Sequence, residues 1–313
     1  MHSFRNILYA STGIGDDIEG LKQALSLARA NRAALKCLLV YPELPKSHEM
    51  YQDRYREFLL EQMDTAIRQA RAALHLRGND PPVTVELDAG ADPPAVRMIR
   101  HALREVHDLV IKEAEPIEGG VGFTSLDMTL LRKCPCPVWL ARPINRPKSE
   151  IRVAVAVSAD NREASEHDLA LRLLTLGRSL ADSCDGDLAI VSCWDFEFER
   201  FLRGNTRVEI PADTMQSTMQ NAQSAHQLEL GRLLEASAIG GRFHVHRMKG
   251  QPEKMIPLFV RSRKIDILVM GTVARTGIFG YLMGNTAENI MHELECALLA
   301  VKPGGFVSPV KAY

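Results

Sequence analysis

Residues 134–143 read CPCPVWLARP and residues 294–303 read LECALLAVKP, and setting one beneath the other decides the fold. Aligned on Pro143 and Pro303, Cys136 meets Cys296, Val138 meets Leu298, and Arg142 meets Lys302. Each stretch is a short apolar run closed by a cation and a proline, the pattern of a strand buried on both faces. The interval is about half the chain, which marks a domain duplication and not a solenoid of short repeats.

Working outward, the same order recurs upstream of each closing run. ILYAS at 7–11 matches VAVAV at 153–157, and each leads through a polar loop to a helical stretch, 17–31 and 162–182. Second strands at 35–40 and 187–193, amphipathic helices at 50–76 and 213–238, and third strands at 83–87 and 242–247 follow. Short helices at 90–104 and 250–261 then precede a shared fourth-strand pattern, Asp108-Leu109-Val110-Ile111 and Asp266-Ile267-Leu268-Val269. Strands alternating with helices argue βαβ units, hence an α/β fold of parallel sheets with helices on both faces. Two tandem doubly wound domains are expected, 1–144 and 150–305, with the polar, proline-bounded stretch 143–149 between them.

The bulk composition narrows function. Among 313 residues, 38 are basic and 39 acidic, so no excess of cations is present to neutralise a nucleic-acid backbone. No apolar run reaches the roughly 20 residues of a membrane helix, and the first residues lack a basic segment leading into an apolar one. A soluble, cytoplasmic chain with neither nucleic-acid nor membrane partner is expected. Six scattered cysteines do not suggest a disulfide framework.

In doubly wound sheets ligands bind beyond the carboxyl ends of the strands. The loop after the fourth strand of the second half, GTVARTGIFGYLMGNTAE at 271–288, leaves the strand on Gly271 and opens a helix at Gly284-Asn285-Thr286. Glycines permit close backbone approach, and a helix amino terminus offers N–H groups and a positive dipole to an anion.

This loop resembles the signature of ATP-binding universal stress proteins, Gly-x2-Gly-x9-Gly followed by Ser or Thr. Gly271, Ala274, Gly284 and Asn285 keep its spacing, with Ala for the second glycine and Asn for the hydroxyl residue. GTVARTGIFGYLMGNTAENI and LLRKCPCPVW together resemble the tandem, E-type members over essentially the whole chain. The resemblance implies a strand order of 3-2-1-4-5 in each half and halves paired through their fifth strands, with further dimerisation open. It also implies an ATP-like nucleotide, with magnesium, or another small ligand held by the second domain. Gly271, Thr272, Ala274, Gly277, Gly284, Asn285 and Thr286 would stand on the phosphate side; Ser158, Ser192 and Cys193 would stand by the base and ribose. Family members that bind ATP carry an Asp at the end of strand one, where Thr12 and Ser158 stand here.

The matching first-half loop, 112–125, carries Glu113, Glu115 and Glu118, which would repel a polyphosphate, and its Gly119-Gly120 and Gly122 read as a flexible turn. That domain is read as a structural partner. Other candidates weigh less. His244 and His246 alternate on a strand without a third ligand at metal spacing. Cys134-Pro135-Cys136 has neither the CxxC spacing nor half of a zinc ribbon, and is read as a lead into the last strand. Gly13-Ile14-Gly15 is a partial dinucleotide motif whose third position is Ile18. The segment 195–212, rich in Phe, is read as a short helix over the core, or as an apolar lid. No catalytic residue or metal ligand is assigned. The expected role is a ligand-regulated stress-response protein. Its rivals are an adaptor that binds no nucleotide, a carrier of an amphipathic metabolite and a slow ATPase.

Overall fold

A computed structural model describes residues 4–115, 117, 120–160, 163–195, 212–272 and 283–313. The first half runs β1 (Asn6–Ser11), α1 (Ile18–Asn31), β2 (Ala34–Tyr41), α2 (Gln52–Ala73), β3 (Val83–Ala89), α3 (Pro94–Arg104), β4 (Leu109–Glu113), α4 (Ser125–Lys133) and β5 (Val138–Ala141). The second repeats it with β6 (Val153–Ala156), α5 (Ala164–Ser183), β7 (Leu188–Trp194), α6 (Ala212–Ser237), β8 (Phe243–Lys249), α7 (Pro252–Arg263), β9 (Ile267–Gly271), α8 (Asn285–His292) and β10 (Ala297–Val301).

The strands form one ten-stranded sheet in the order β3-β2-β1-β4-β5-β10-β9-β6-β7-β8. Every neighbouring pair is parallel except the central one, where β5 and β10 run antiparallel with Trp139 opposite Leu299. The two five-stranded halves are thus fused edge to edge, which buries the two strand edges that would otherwise be free to pair with other chains. Helices cover both faces. Ile7 and Tyr9 point to the α1, α2, α5 and α6 side, while Leu8 and Ala10 point to the α3, α4, α7 and α8 side. Each of these two cores runs without a break through both halves.

Local sequence explains the helices. α1 buries Leu21, Ala24, Leu25 and Ala28, one stripe at helical spacing, and ends where Arg32 turns left-handed and returns its N–H to Ala28. α3 and α7 each start on a proline, where the missing N–H costs nothing. Differences from the sequence reading are confined to ends. The third strands run two residues further than expected, and a 3-10 turn over Lys46–Tyr51 precedes α2. No helix among the described residues is long and apolar enough to cross a membrane.

Candidate functional site

At the carboxyl ends of β6 and β9 lies a cavity of 720 Å³. β6 delivers Ser158 to it, β7 delivers Cys193, and β9 delivers Met270 and Gly271. A Cβ on Gly271 would stand 3.0 Å from Leu169 Cδ2, so glycine here lets α5 lie close against the strand end. Beside it, Gly284 is the amino-terminal cap of α8, and it accepts the Glu288 N–H at 2.9 Å. Among the described residues no side chain caps this helix, and its first residues, Asn285 and Thr286, line the cavity. The positive end of the helix dipole and its first-turn N–H groups therefore face the space. Gly284 itself adopts φ −71° and ψ 141°, which any residue can adopt. Its use is to leave room, not to permit a left-handed turn.

The structure thus brings together Ser158, Cys193, Gly271, Gly284, Asn285 and Thr286. Two other candidates stand apart from the lining. Thr272 is buried; its N–H donates to Val301 and its carbonyl accepts the Gly284 N–H at 3.1 Å, so it ties the loop to the sheet. Ser192 is also buried, with Oγ 3.0 Å from Nε2 of His226 on α6, across the sheet from Cys193. Burial foremost, then Arg247, lowers the pKa of that imidazole. Ala274, Gly277 and most of the Phe-rich segment lie outside the described residues.

The first half has filled the equivalent place with its own groups. Where β9 ends on Gly271, β4 ends on Glu113, whose carboxylate accepts the Gly20 N–H at 2.7 Å in the first turn of α1. Where Gly284 caps α8 without a side chain, Thr124 caps α4 in a reciprocal box with Asp127. Asp127 is fully buried and lies 3.1 Å from Nζ of Lys112, which is itself 3% exposed. A smaller pocket of 280 Å³ remains, lined by Asp16, Asp17, Glu113 and Glu115, with Lys112 as the one cation among the described lining residues.

The sequence reading did not single out Asp17, the amino-terminal cap residue of α1. It accepts the Tyr9 and Ser11 hydroxyls, each at 2.7 Å, and burial lifts its pKa despite both donors. Burial likewise raises Glu113 against the Gly20 N–H. One expectation about this half needs correction: Gly122 is not a slack turn. At φ 90° its N–H donates to Leu294, and a Cβ would lie 2.5 Å from the His292 carbonyl, so it docks the loop against the end of α8. Sequence reading missed Asp17, Lys112, Asp127 and His226. Only the Thr124-x-x-Asp127 spacing, a capping-box pattern ahead of an apolar run, carried a usable signal.

The geometry can be set beside known proteins. The model of the Universal stress protein family matches residues 3–142 and 152–302. Universal stress protein E of Photorhabdus laumondii subsp. laumondii is 28% identical over 327 residues, covering 100% of this chain and 99% of that one. Universal stress protein E of Escherichia coli (strain K12) is 28% identical over 324 residues, covering 99% and 98%. The fold is shared with a universal stress protein from Archaeoglobus fulgidus DSM 4304, at TM-score 0.61 and 16% identity over 95% of this chain and 98% of that one. A functionally unknown protein from Pseudomonas aeruginosa PAO1 also shares it, at TM-score 0.66 and 22% identity over 96% and 94%. With the family model matching both halves and the likeness to Universal stress protein E running end to end, the chain belongs to the universal stress protein family as a tandem pair of its domains.

Proposed function

We propose that the second domain binds a small ligand of the nucleotide class, ATP-like, and that the chain acts as a ligand-regulated stress-response protein. One observation carries this reading. The start of α8, capped by no side chain among the described residues, opens on a 720 Å³ cavity, while the first half closes the same place with Glu113, Thr124 and Asp127. Backbone N–H groups at Asn285 and Thr286 suit a phosphate, and the Asp160 and Glu166 carboxylates at the lining suit magnesium beside it. Mass spectrometry of what leaves the purified protein on denaturation, together with magnesium-ATP titration by calorimetry, tests it. Neither nucleotide release nor a titration signal would leave the adaptor reading in place.

A second reading has its own support. Leu169, Leu173, Ile256, Met270, Met283 and Ile290 make much of the lining apolar, and no Lys or Arg stands among the described lining residues. Such a surface favours a ligand with a substantial apolar part and one anionic end over a bare polyphosphate. Release of an amphipathic metabolite in place of a nucleotide would select it.

A further inference from the structure

The two sulfurs of the Cys134-Pro135-Cys136 stretch lie 3.5 Å apart. Cys134 is fully buried and Cys136 9% exposed. Lys302, 4% exposed, belongs to the same cluster: its ammonium donates to the Leu131 carbonyl at 2.7 Å, and its charge acts on both sulfurs. Across the seam the repeat offers a comparison. Arg142 matches Lys302 and acts on Cys296, but Leu294 stands where Cys134 does. One cysteine and one cation therefore suffice to build this corner of the fold. The second thiol is an addition to the first half alone.

We propose that Cys134 and Cys136 are a peroxide-responsive dithiol that closes to a reversible disulfide, with Lys302 as the cation that stabilises the attacking thiolate. Cys134 lies at the carboxyl end of α4, where helix carbonyls disfavour a negative sulfur. Lys302 sits on those carbonyls and offsets them. The Cys136 hydrogen bond holds the Cys134 thiol below its ordinary value, with Lys302 acting in the same direction, while burial foremost brings Lys302 to about 8. Cys296, with no second thiol, is pushed by burial to about 12.

The chemistry balances with hydrogen peroxide as oxidant. The Cys134 thiolate attacks one peroxide oxygen and the O–O bond breaks. The leaving hydroxide takes the proton released when the thiolate formed, giving water. Cys136 sulfur then attacks the Cys134 sulfenic acid; an S–S bond forms, the S–O bond breaks, and the Cys136 proton leaves in a second water. Two thiols lose two electrons and the peroxide gains them. The chain after β10 governs access: Ser308 donates to the Lys133 carbonyl, and the Phe306 ring lies 5.0 Å from Lys302 Nζ. Local opening of that segment exposes the pair.

The reduced, full-length protein should be titrated with hydrogen peroxide, quenched by alkylation in denaturant, and mapped by peptide mass spectrometry. The peptide holding Cys134 and Cys136 should become a disulfide at about tenfold lower peroxide than oxidises Cys296, and dithiothreitol should restore it. Lys302→Met should slow closure and Lys302→Arg should keep most of the rate. Cys136→Ser should leave a sulfenic acid on Cys134 that dimedone traps. If wild-type Cys134 and Cys136 stay alkylatable at doses that oxidise Cys296, or go to sulfonic acid without a disulfide, the proposal fails. Lys302→Met closing as fast as wild type would remove the role given to Lys302.

Discussion

Trp139 and Leu299 stand directly opposite each other in the antiparallel pairing of β5 with β10, one 2% and the other 0% exposed. The Trp139 indole N–H reaches Gln23 on α1 at 2.8 Å, so the ring is held from its own half while its face meets the other. Full burial of two such side chains contributes roughly 2–3 kcal/mol each. Residues 1–146 expressed alone should therefore be dimeric or aggregated, because the β5 edge would be left bare. Analytical ultracentrifugation decides; a well-behaved monomer would show that the seam is dispensable.

The same pairing makes a charge at the junction costly. Leu299→Asp should lower stability by about 3–5 kcal/mol, since the carboxylate gains no partner in the apolar core beneath the sheet. Urea denaturation of the full chain measures it, and a loss below about 1 kcal/mol would contradict the buried seam.

Ligand stoichiometry should approach one per chain. The first half satisfies the starts of α1 and α4 with Glu113, Thr124 and Asp127, and its remaining pocket is lined by four carboxylates, which disfavours a second anionic ligand there. Glu113→Gln should cost about 1 kcal/mol of stability by weakening the bond to Gly20, without altering affinity in the second half. Two equivalent sites by calorimetry would refute the asymmetry.

Gly284→Val should abolish ligand binding while the protein stays folded, because the branched side chain fills space at the cavity and its backbone angles remain acceptable. Ala274→Gly combined with Asn285→Ser restores the ATP-binding pattern of the family and should tighten magnesium-ATP by about 1–2 kcal/mol. Equal titration curves for wild type and both variants would dismiss the loop as a phosphate site.

Stability should also depend on pH through His101 and His107, stacked with ring centroids 5.5 Å apart and almost fully buried. Burial lowers the pKa of both below the ordinary 6.5, against Glu86 at His101 and the Asn6 carbonyl at His107. The unfolded chain then binds protons that the folded one refuses. Stability is complete above 6.5 and is lost as pH falls below it toward the folded values. Urea midpoints at about pH 7.5 and about pH 5.5 should differ, and His107→Phe should narrow the difference. An unchanged gap in that variant would assign the effect elsewhere.

The architecture was legible because the inner strands are nearly pure apolar runs in a repeated order, and Trp139 and Leu299 could be placed at the same position of the two closing strands. Half of the candidate site was legible for the same reason: Gly271, Gly284 and Ser158 sit at strand or helix ends that periodicity locates. Ser192 and Cys193 show the limit. Adjacent residues of a strand face opposite ways, and only the observed packing shows that Cys193 reaches the cavity while Ser192 meets His226. The acidic loop was read only in part. Its charge pointed to repulsion of a ligand, whereas Glu113 spends its carboxylate on a helix start 93 residues away in sequence. No local pattern encodes such a contact.

The reversal of strand direction at β5 and β10 has a directional consequence. Strands of the first half point their carboxyl ends to one rim of the sheet, and strands of the second half point theirs to the opposite rim. The Gly284 cavity and the acidic Asp17–Glu113 pocket therefore open antipodally, and no single small molecule can bridge them. The sheet carries a 720 Å³ cavity on one rim and an acidic 280 Å³ pocket on the other. On the proposed binding function, a protein that grips the acidic rim would leave the Gly284 cavity free and would sense its occupancy only through the strands between them.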